Sequence, residues 1–192
     1  KAIEKKRWAL ASDIIRMYAI YTEGGIYMDT DVELLKPLDK LLKYDGFAGW
    51  ETQYWFTTAM FGAKKYSPWI AKILKRYELV NPKKPITTDT FLKTVHSPSV
   101  YAKDIYNIEL DGKTRVYGDN LFATFAPEYF SPKHYLTGEE HVTKNTIAFH
   151  HYASTWHKRS EKAKNDLALA SLKTHSPRKY SKQKKAHTIG RE

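Results

Sequence analysis

No cysteine occurs among the 192 residues of the sequence, which excludes a disulfide framework, a thiolate zinc site and a cysteine nucleophile. Long apolar runs are absent as well, because no stretch approaches the roughly 18 residues that span a bilayer. The pattern of a signal peptide is also missing. The absence of thiols fits a reducing compartment, so we expect a cytoplasmic protein. The sequence opens at Lys1 directly in a helical pattern, from which we expect a further portion upstream.

Basic residues outnumber acidic residues by 32 to 21, and the resulting net charge of +11 is unevenly distributed. Residues 157–192 contain 11 basic and three acidic side chains, a net charge of +8, which leaves only +3 for the first 156 residues. The first part is aromatic-rich and long enough to bury a core, whereas the last part is rich in lysine and serine. We therefore predict a folded domain over residues 1–156 and a basic tail, partly helical or disordered, over residues 157–192.

Hydrophobic periodicity predicts an α/β domain. Apolar residues recur every three or four positions from Ile3 to Thr22 and predict a helix, which Gly24 and Gly25 end before a strand at 26–28. The predicted buried stripe of this helix comprises Trp8, Ala11, Ile15, Tyr18 and Tyr21. Further strands are predicted at 46–50, 57–63 and 147–152, and further helices at 38–43, 69–77 and 89–95. This alternation favours a mostly parallel sheet.

Two aspartates, Asp29 and Asp31, directly follow the first predicted strand. Alternate residues of an extended strand point the same way and lie about 6.6 Å apart along it, so both carboxylates can hold one divalent cation. Such hard oxygen ligands suit Mg²⁺ or Mn²⁺, which often also bind phosphate oxygens. For an isolated Asp-x-Asp triplet, a solvated turn at a strand end is the more frequent explanation.

A second polar pair precedes the glycines on the predicted helix. Asp13 and Arg16 are three residues apart and share a helix face, so they either pair with each other or present an acceptor and a donor to a polar ligand. Ligands of open α/β sheets bind outside the carboxyl ends of strands. The turn therefore brings this pair and the two aspartates towards one rim of the sheet.

The stretch SDIIRMYAIYTEGGIYMDTDVELLKPLD, from Ser12 to Asp39, resembles the DxD-containing GT-A glycosyltransferases of the capsular-polysaccharide and mannosyl- or galactosyl-transferase type, a family 32-like group. Two later segments resemble the same family in the same order, namely FAPEYFSPK at 125–133 and NTIAFHHYASTW at 145–156. The resemblance implies a GT-A, Rossmann-like mixed sheet flanked by helices. It also implies an N-terminal truncation, because members usually begin with a strand-helix-strand portion that holds the nucleotide base.

The resemblance implies a metal site and a leaving-group site. Asp29 and Asp31 would bind Mn²⁺ or Mg²⁺ together with the diphosphate of a nucleotide-sugar donor. One of His150 and His151 would close over the metal, and the sequence leaves open which of them turns inward. The cation would stabilise the negative charge on the departing diphosphate.

The resemblance also implies a pocket for the donor sugar. Asp13 and Arg16 would hold sugar hydroxyls, and Tyr27 would line the same pocket. Ser154 and Trp156 would close over the diphosphate. Because retaining members of the family lack an obvious protein nucleophile, we assign no catalytic residue.

The implied reaction moves a hexose from UDP-hexose or GDP-mannose to a glycan or glycolipid, with retention, in the biosynthesis of surface polysaccharide such as a capsule. Glu51, after the strand at 46–50, either contacts the acceptor or is an ordinary strand-end charge. The sequence departs from the family pattern near Thr58, where an Asn is usual, and at 87–89, where a Gly-Pro element is usual. Both departures concern the acceptor side.

Three other functions share some of these features. A metal-dependent phosphohydrolase would explain the aspartates but not the spacing of Asp13 and Arg16. A nucleic-acid-binding protein would use aromatic and basic residues together, but here the aromatic residues occupy periodic core positions, so we expect no nucleic acid. A zinc site on His150, His151 and His157 lacks an evident fourth ligand.

The basic tail has two interpretations. Close to an anionic lipid surface, each Lys or Arg contributes about 1 kcal/mol to binding, so the tail could hold the protein at the inner face of the membrane. Alternatively it is a solvated segment with no partner.

Overall fold

The computed structural model describes residues 2–4, 6, 8–78, 97–135 and 137–153. The predicted helix at 89–95, the predicted diphosphate-closing residues Ser154 and Trp156, and the basic tail lie outside these residues. Predictions that concern them remain predictions.

The described residues form helices and strands in an α/β order. In sequence, they are α1 (Trp8–Glu23), β1 (Gly25–Met28), β2 (Val32–Leu34), a 3₁₀ turn (Asp39–Leu41), β3 (Gly46–Trp50), β4 (Phe56–Ala63), α2 (Pro68–Glu78), α3 (Ser97–Tyr106), β5 (Arg115–Tyr117), β6 (Phe122–Phe125), α4 (Pro127–Phe130) and β7 (Ala148–His150). The predicted strands at 26–28, 46–50 and 57–63 and the helix at 69–77 are confirmed to within a residue. The helix predicted at 38–43 is reduced to the 3₁₀ turn.

Five of the described strands form a mixed sheet in the order β1-β4-β3-β6-β5. Only the β3–β6 pair is parallel, while β1–β4, β3–β4 and β5–β6 are antiparallel. The prediction of a mostly parallel sheet is therefore wrong. Only a short connection links β3 to β4, and parallel neighbours would need a crossover of a dozen or more residues. A mixed sheet flanked by helices, as the resemblance implied, is what the structure has, and it is compatible with a GT-A-like fold.

The central strands β3, β4 and β6 supply most of the core. Every residue of β3 and β6 is buried, and so is every residue of β4 except Thr58. Large aromatic side chains fill the space around them. Trp50, Phe56, Trp69 and Phe122 pack with ring centroids 4.4 to 6.2 Å apart. Such burial on both faces makes the sheet a rigid support for residues at its rim.

The buried face of α1 coincides with the predicted one only in part, since Ala11 is buried as predicted. Trp8, Ile15 and Tyr18 are about 60% exposed, whereas Leu10, Met17 and Ile20 are buried in the core. Both sets recur at helical spacing, so periodicity alone does not distinguish them. The second set is chosen because it faces the apolar side of α2 and the sheet. Within the described residues, no helix has both the length and the apolar character required to cross a membrane.

Candidate functional site

The two glycines between α1 and β1 set the direction of the chain towards the site. Gly24 and Gly25 have φ angles of +74° and +102°, which other residues rarely adopt. A Cβ on Gly24 would lie 2.8 Å from the backbone nitrogen of Lys65, so this position also requires close backbone approach. The turn sends β1 back along the edge of the sheet beside β4. Asp29 thus emerges directly at the end of β1, as predicted.

A tight turn, rather than a continued strand, carries the two aspartates. β1 ends at Met28, the Asp29 amide donates to the Ala59 carbonyl at 2.8 Å, and the Val32 amide donates back to the Asp29 carbonyl at 3.1 Å. The expected extended strand through Asp31 is therefore wrong. The turn begins where the pairing of β1 with β4 stops, at Met28, although β4 itself extends as far as Phe56.

A two-stranded sheet brings His150 to the aspartates. β2 pairs antiparallel with β7 and places Val32 opposite His150, and the His151 amide donates to the Asp31 carbonyl at 2.9 Å. The imidazole Nε2 of His150 lies 3.5 Å from Asp31 Oδ2, and its side chain is only 12% exposed. Residues far apart in the sequence are in this way joined at one site.

Asp29, Asp31 and His150 form a group that can hold a metal ion. One ligand atom from each lies within 4.8 Å of the other two. Burial lowers the pKa of His150, although the nearby carboxylates of Asp31 and Asp29 act in the opposite direction. The lowered pKa favours the neutral imidazole, which is the form that binds metals. Two carboxylates and one imidazole suit a divalent cation.

His151 points away from this group. Its Nε2 lies 2.9 Å from Glu33 Oε2, and the side chain is 49% exposed. The sequence left open which histidine turns inward, and the structure brings His150, not His151, to the carboxylates.

Arg16 connects Asp13, which was predicted to bind the donor sugar, with the group that can hold a metal ion. Its buried guanidinium donates from Nη1 to the Thr58 carbonyl at 2.9 Å and lies 3.1 Å from Asp29 Oδ1. Nη2 donates to Ser12 Oγ at 3.1 Å and lies 3.4 Å from Asp13 Oδ1. A single guanidinium thus faces the carboxylates of both Asp13 and Asp29.

Tyr27 completes this side of the site. Its hydroxyl donates to Asp29 Oδ1 at 2.5 Å, and the Arg16 guanidinium lies 4.7 Å from the centre of its ring, within range of a cation–π interaction. Burial, together with the hydrogen bond to Asp29, raises the pKa of Tyr27 to about 12. The phenol therefore stays protonated and orients Asp29.

Asp13 is a carboxylate in an unfavourable environment. Burial raises its pKa to about 6, with Arg16 lowering it and Asp29 raising it further. Its side chain is still 31% exposed and so can reach a ligand. The carboxyl therefore gains its proton near pH 6, well above the range of an ordinary aspartate.

Glu51 follows β3, at the end of a buried strand. Burial raises the pKa of Glu51, while hydrogen bonds from the side chains of Tyr152 and Trp55 lower it. Sequence reasoning gave no role to Tyr152, although it lies two residues after His150 within the segment that carried the family resemblance. The rings of Tyr152 and His150 are in contact, with centroids 3.8 Å apart.

Comparison with known proteins found one family. Residues 1–48 match the model of the glycosyltransferase sugar-binding region containing the DXD motif. The match includes Asp13, Arg16, Tyr27, Asp29 and Asp31, and it supports a glycosyltransferase, an enzyme of the transferase class. No curated protein and no solved structure gave a match.

Proposed function

We propose that this protein transfers a hexose from a nucleotide sugar, UDP-hexose or GDP-mannose, to a glycan or glycolipid acceptor in a metal-dependent reaction that retains anomeric configuration. Synthesis of a surface polysaccharide such as a capsule is the proposed context. The observation that carries the proposal is the convergence of Asp29, Asp31 and His150 within 4.8 Å of one another. Asp29 and Asp31 belong to the segment that matches the sugar-binding family model, and His150 lies close to them in the fold.

The neighbouring residues favour a sugar donor over a simple phosphate ester. Arg16 and Asp13 offer a donor and an acceptor side by side, with Nη2 and Oδ1 3.4 Å apart, and this pairing suits vicinal hydroxyls of a hexose. Tyr27 contacts Asp29 and thereby joins the proposed sugar pocket to the proposed metal site. A phosphohydrolase would have no use for this second group.

The proposed metal ligands are Asp29, Asp31 and His150, and Mn²⁺ is preferred to Mg²⁺ because one ligand is an imidazole. When bound, the cation supplies Lewis-acid stabilisation of the diphosphate leaving group. The protein's own contribution is positional. Arg16 compensates the charge of Asp29, and Tyr27 fixes the orientation of that carboxylate through a hydrogen bond. We assign no catalytic base. An acceptor contact of Glu51 would lie at the end of β3.

An assay of donor hydrolysis and transfer tests the proposal. We expect the protein to release UDP or GDP from one member of a nucleotide-sugar panel only when Mn²⁺ or Mg²⁺ is present. Asp31→Asn, which keeps the size of the side chain but removes a charged metal ligand, should lower the rate at least about 100-fold. The matched control is Asp119→Asn, since Asp119 is exposed and lies in the loop between β5 and β6.

Two results would contradict the proposal. Undiminished activity of Asp31→Asn would remove the metal assignment. Release of UMP or GMP together with the sugar 1-phosphate, from cleavage of the diphosphate bond, would indicate the phosphohydrolase instead.

A further inference from the structure

We infer that Glu51 and Tyr152 are positioning residues that hold the imidazole of His150 in its metal-binding orientation. This inference rests on the proposed metal site. It gives Glu51, which follows β3 and lies outside the residues that match the family model, a role in that site.

The imidazole of His150 lacks the support that metal-binding histidines usually have. Such histidines commonly donate their second ring nitrogen to a carboxylate or carbonyl, which fixes the ring. Here Nε2 faces Asp31, whereas Nδ1 is buried and has no hydrogen-bond partner among the described residues. The orientation of this ring must therefore come from another contact.

Tyr152 provides that contact. Its ring lies against the imidazole with centroids 3.8 Å apart and an interplanar angle of 35°. The backbone of Tyr152 has a φ of +54°, a left-handed conformation that is unfavourable for a bulky residue. Such strained conformations persist where surrounding contacts fix the residue, and they concentrate at functional sites. The conformation turns the Tyr152 side chain back onto His150, two residues earlier.

Glu51 fixes Tyr152 in turn. The Glu51 carboxylate accepts hydrogen bonds from the side chains of Tyr152 and Trp55. Its own backbone is anchored, since the Glu51 amide donates to the Trp55 carbonyl at 3.0 Å directly after the buried strand β3. A continuous chain of contacts thus leads from the rigid sheet through Glu51 and Tyr152 to the ring of His150.

Titration of the 192-residue chain with Mn²⁺, followed by electron paramagnetic resonance of the free ion, tests this inference. Tyr152→Phe keeps the ring but loses the hydroxyl that Glu51 holds, and Glu51→Ala loses the acceptor. Both should weaken Mn²⁺ binding about tenfold, as is typical for residues that support a metal ligand. Glu51→Gln should stay within about threefold of the wild type, because its amide oxygen still accepts the tyrosine hydroxyl. Tyr54→Phe, at an exposed tyrosine near the same loop, is the control.

A second measurement does not depend on metal binding. In the metal-free protein, the ¹⁵N resonances of His150 should shift and broaden in Tyr152→Phe and Glu51→Ala, but not in Glu51→Gln or Tyr54→Phe. If Glu51→Ala does not fold, Tyr152→Phe decides the matter, since it removes one atom only. Unchanged Mn²⁺ affinity and unchanged His150 resonances in a folded Tyr152→Phe variant would overturn the inference. If the wild type itself binds no Mn²⁺, the proposed function loses its metal, and the resonances alone decide whether Glu51 and Tyr152 position His150.

Discussion

Arg16 is the residue on which the charges of the site converge. Its guanidinium is buried, yet it faces Asp13 and Asp29 and also donates to the Thr58 carbonyl. A buried cation of this kind requires such partners, because an unpaired buried charge is strongly unfavourable. Two carboxylates around one cation leave an excess negative charge at the site. A divalent cation between Asp29 and Asp31 would relieve that excess.

The pH dependence of the free energy of unfolding should reveal how much the ionised Asp13 carboxylate destabilises the folded state. Its pKa rises from 3.8 to about 6 on folding, mainly through burial. The folded state therefore binds this proton more tightly than the unfolded state. The protonated Asp13 carboxyl stabilises the folded state below about pH 4, and this stabilisation is lost as the pH rises through about 6. Asp13→Asn has no carboxyl proton to lose. Its free energy of unfolding, relative to that of the wild type, should therefore be higher at pH 8 than at pH 4. Because the side chain is 31% exposed and screened by solvent, we expect a difference of about 1 kcal/mol.

Thermal melting of both proteins at the two pH values measures this difference. A gain of about 1 kcal/mol corresponds to roughly 2–4 °C for a chain of this size. Asp119→Asn, at an exposed position, controls for removal of a charge from the surface. A melting difference between wild type and Asp13→Asn that does not change with pH would contradict the interpretation. Loss of donor hydrolysis by the more stable variant would indicate that Asp13 is retained for function at the expense of stability.

The two adjacent histidines should differ in their effect on metal binding. His150 is 12% exposed and faces Asp31, whereas His151 is 49% exposed and pairs with Glu33. His150→Ala should therefore weaken Mn²⁺ binding at least about tenfold, while His151→Ala keeps the backbone hydrogen bond to Asp31 and should change it by less than about twofold. Isothermal titration calorimetry of the two variants measures both effects. Equal losses, or a larger loss for His151→Ala, would show that the other imidazole binds the ion.

At the scale of elements, the sequence predicted what depends on neighbours in the chain. The end of α1 at Gly24, the strands at 46–50 and 57–63, and the location of Asp29 at a strand end follow from local patterns. The antiparallel direction of most paired strands and the buried face of α1 do not follow from local patterns. Both depend on contacts with other elements. The choice of His150 over His151 depends on the register of β2 against β7, in which Val32 lies opposite His150. A shift of one residue would turn the other histidine inward.

The packing of β3 against β4 depends on a glycine. A Cβ on Gly62 would lie 2.3 Å from Cε1 of Phe47, a buried ring that also packs against Phe125 and Phe130. Because this ring has little room to move, Gly62→Ala should lower the free energy of unfolding by about 1–3 kcal/mol. Gly46→Ala is the comparison, since its Cβ would approach Phe122 only to 3.0 Å and should cost less. Urea denaturation measures both, and an equal or larger cost for Gly46→Ala would contradict this account.

At the scale of the whole molecule, the net charge of +11 belongs mainly to the tail. Residues 157–192 carry +8, and the first 156 residues carry +3. The proposed catalytic part is thus nearly balanced, so its charge gives no reason to expect a strongly anionic macromolecule at the site. The tail lies outside the described residues, so its role is inferred from its amino-acid composition. A protein that modifies a glycolipid would benefit from contact with the membrane that contains it.

We therefore predict that the tail binds anionic lipid and holds the protein at the inner face of the membrane. Each Lys or Arg near such a surface contributes about 1 kcal/mol, so engagement of only three of the 11 basic residues of the tail would strengthen binding about 100-fold. The full chain should sediment with vesicles that contain phosphatidylserine but not with neutral vesicles, and a chain without residues 158–192 should remain in the supernatant. Binding should weaken steeply between 0.1 M and 1 M salt, because the screening length falls from about 10 Å to about 3 Å. Equal sedimentation of both chains would assign any membrane contact to the first 157 residues, and no sedimentation of either would leave the tail a solvated segment.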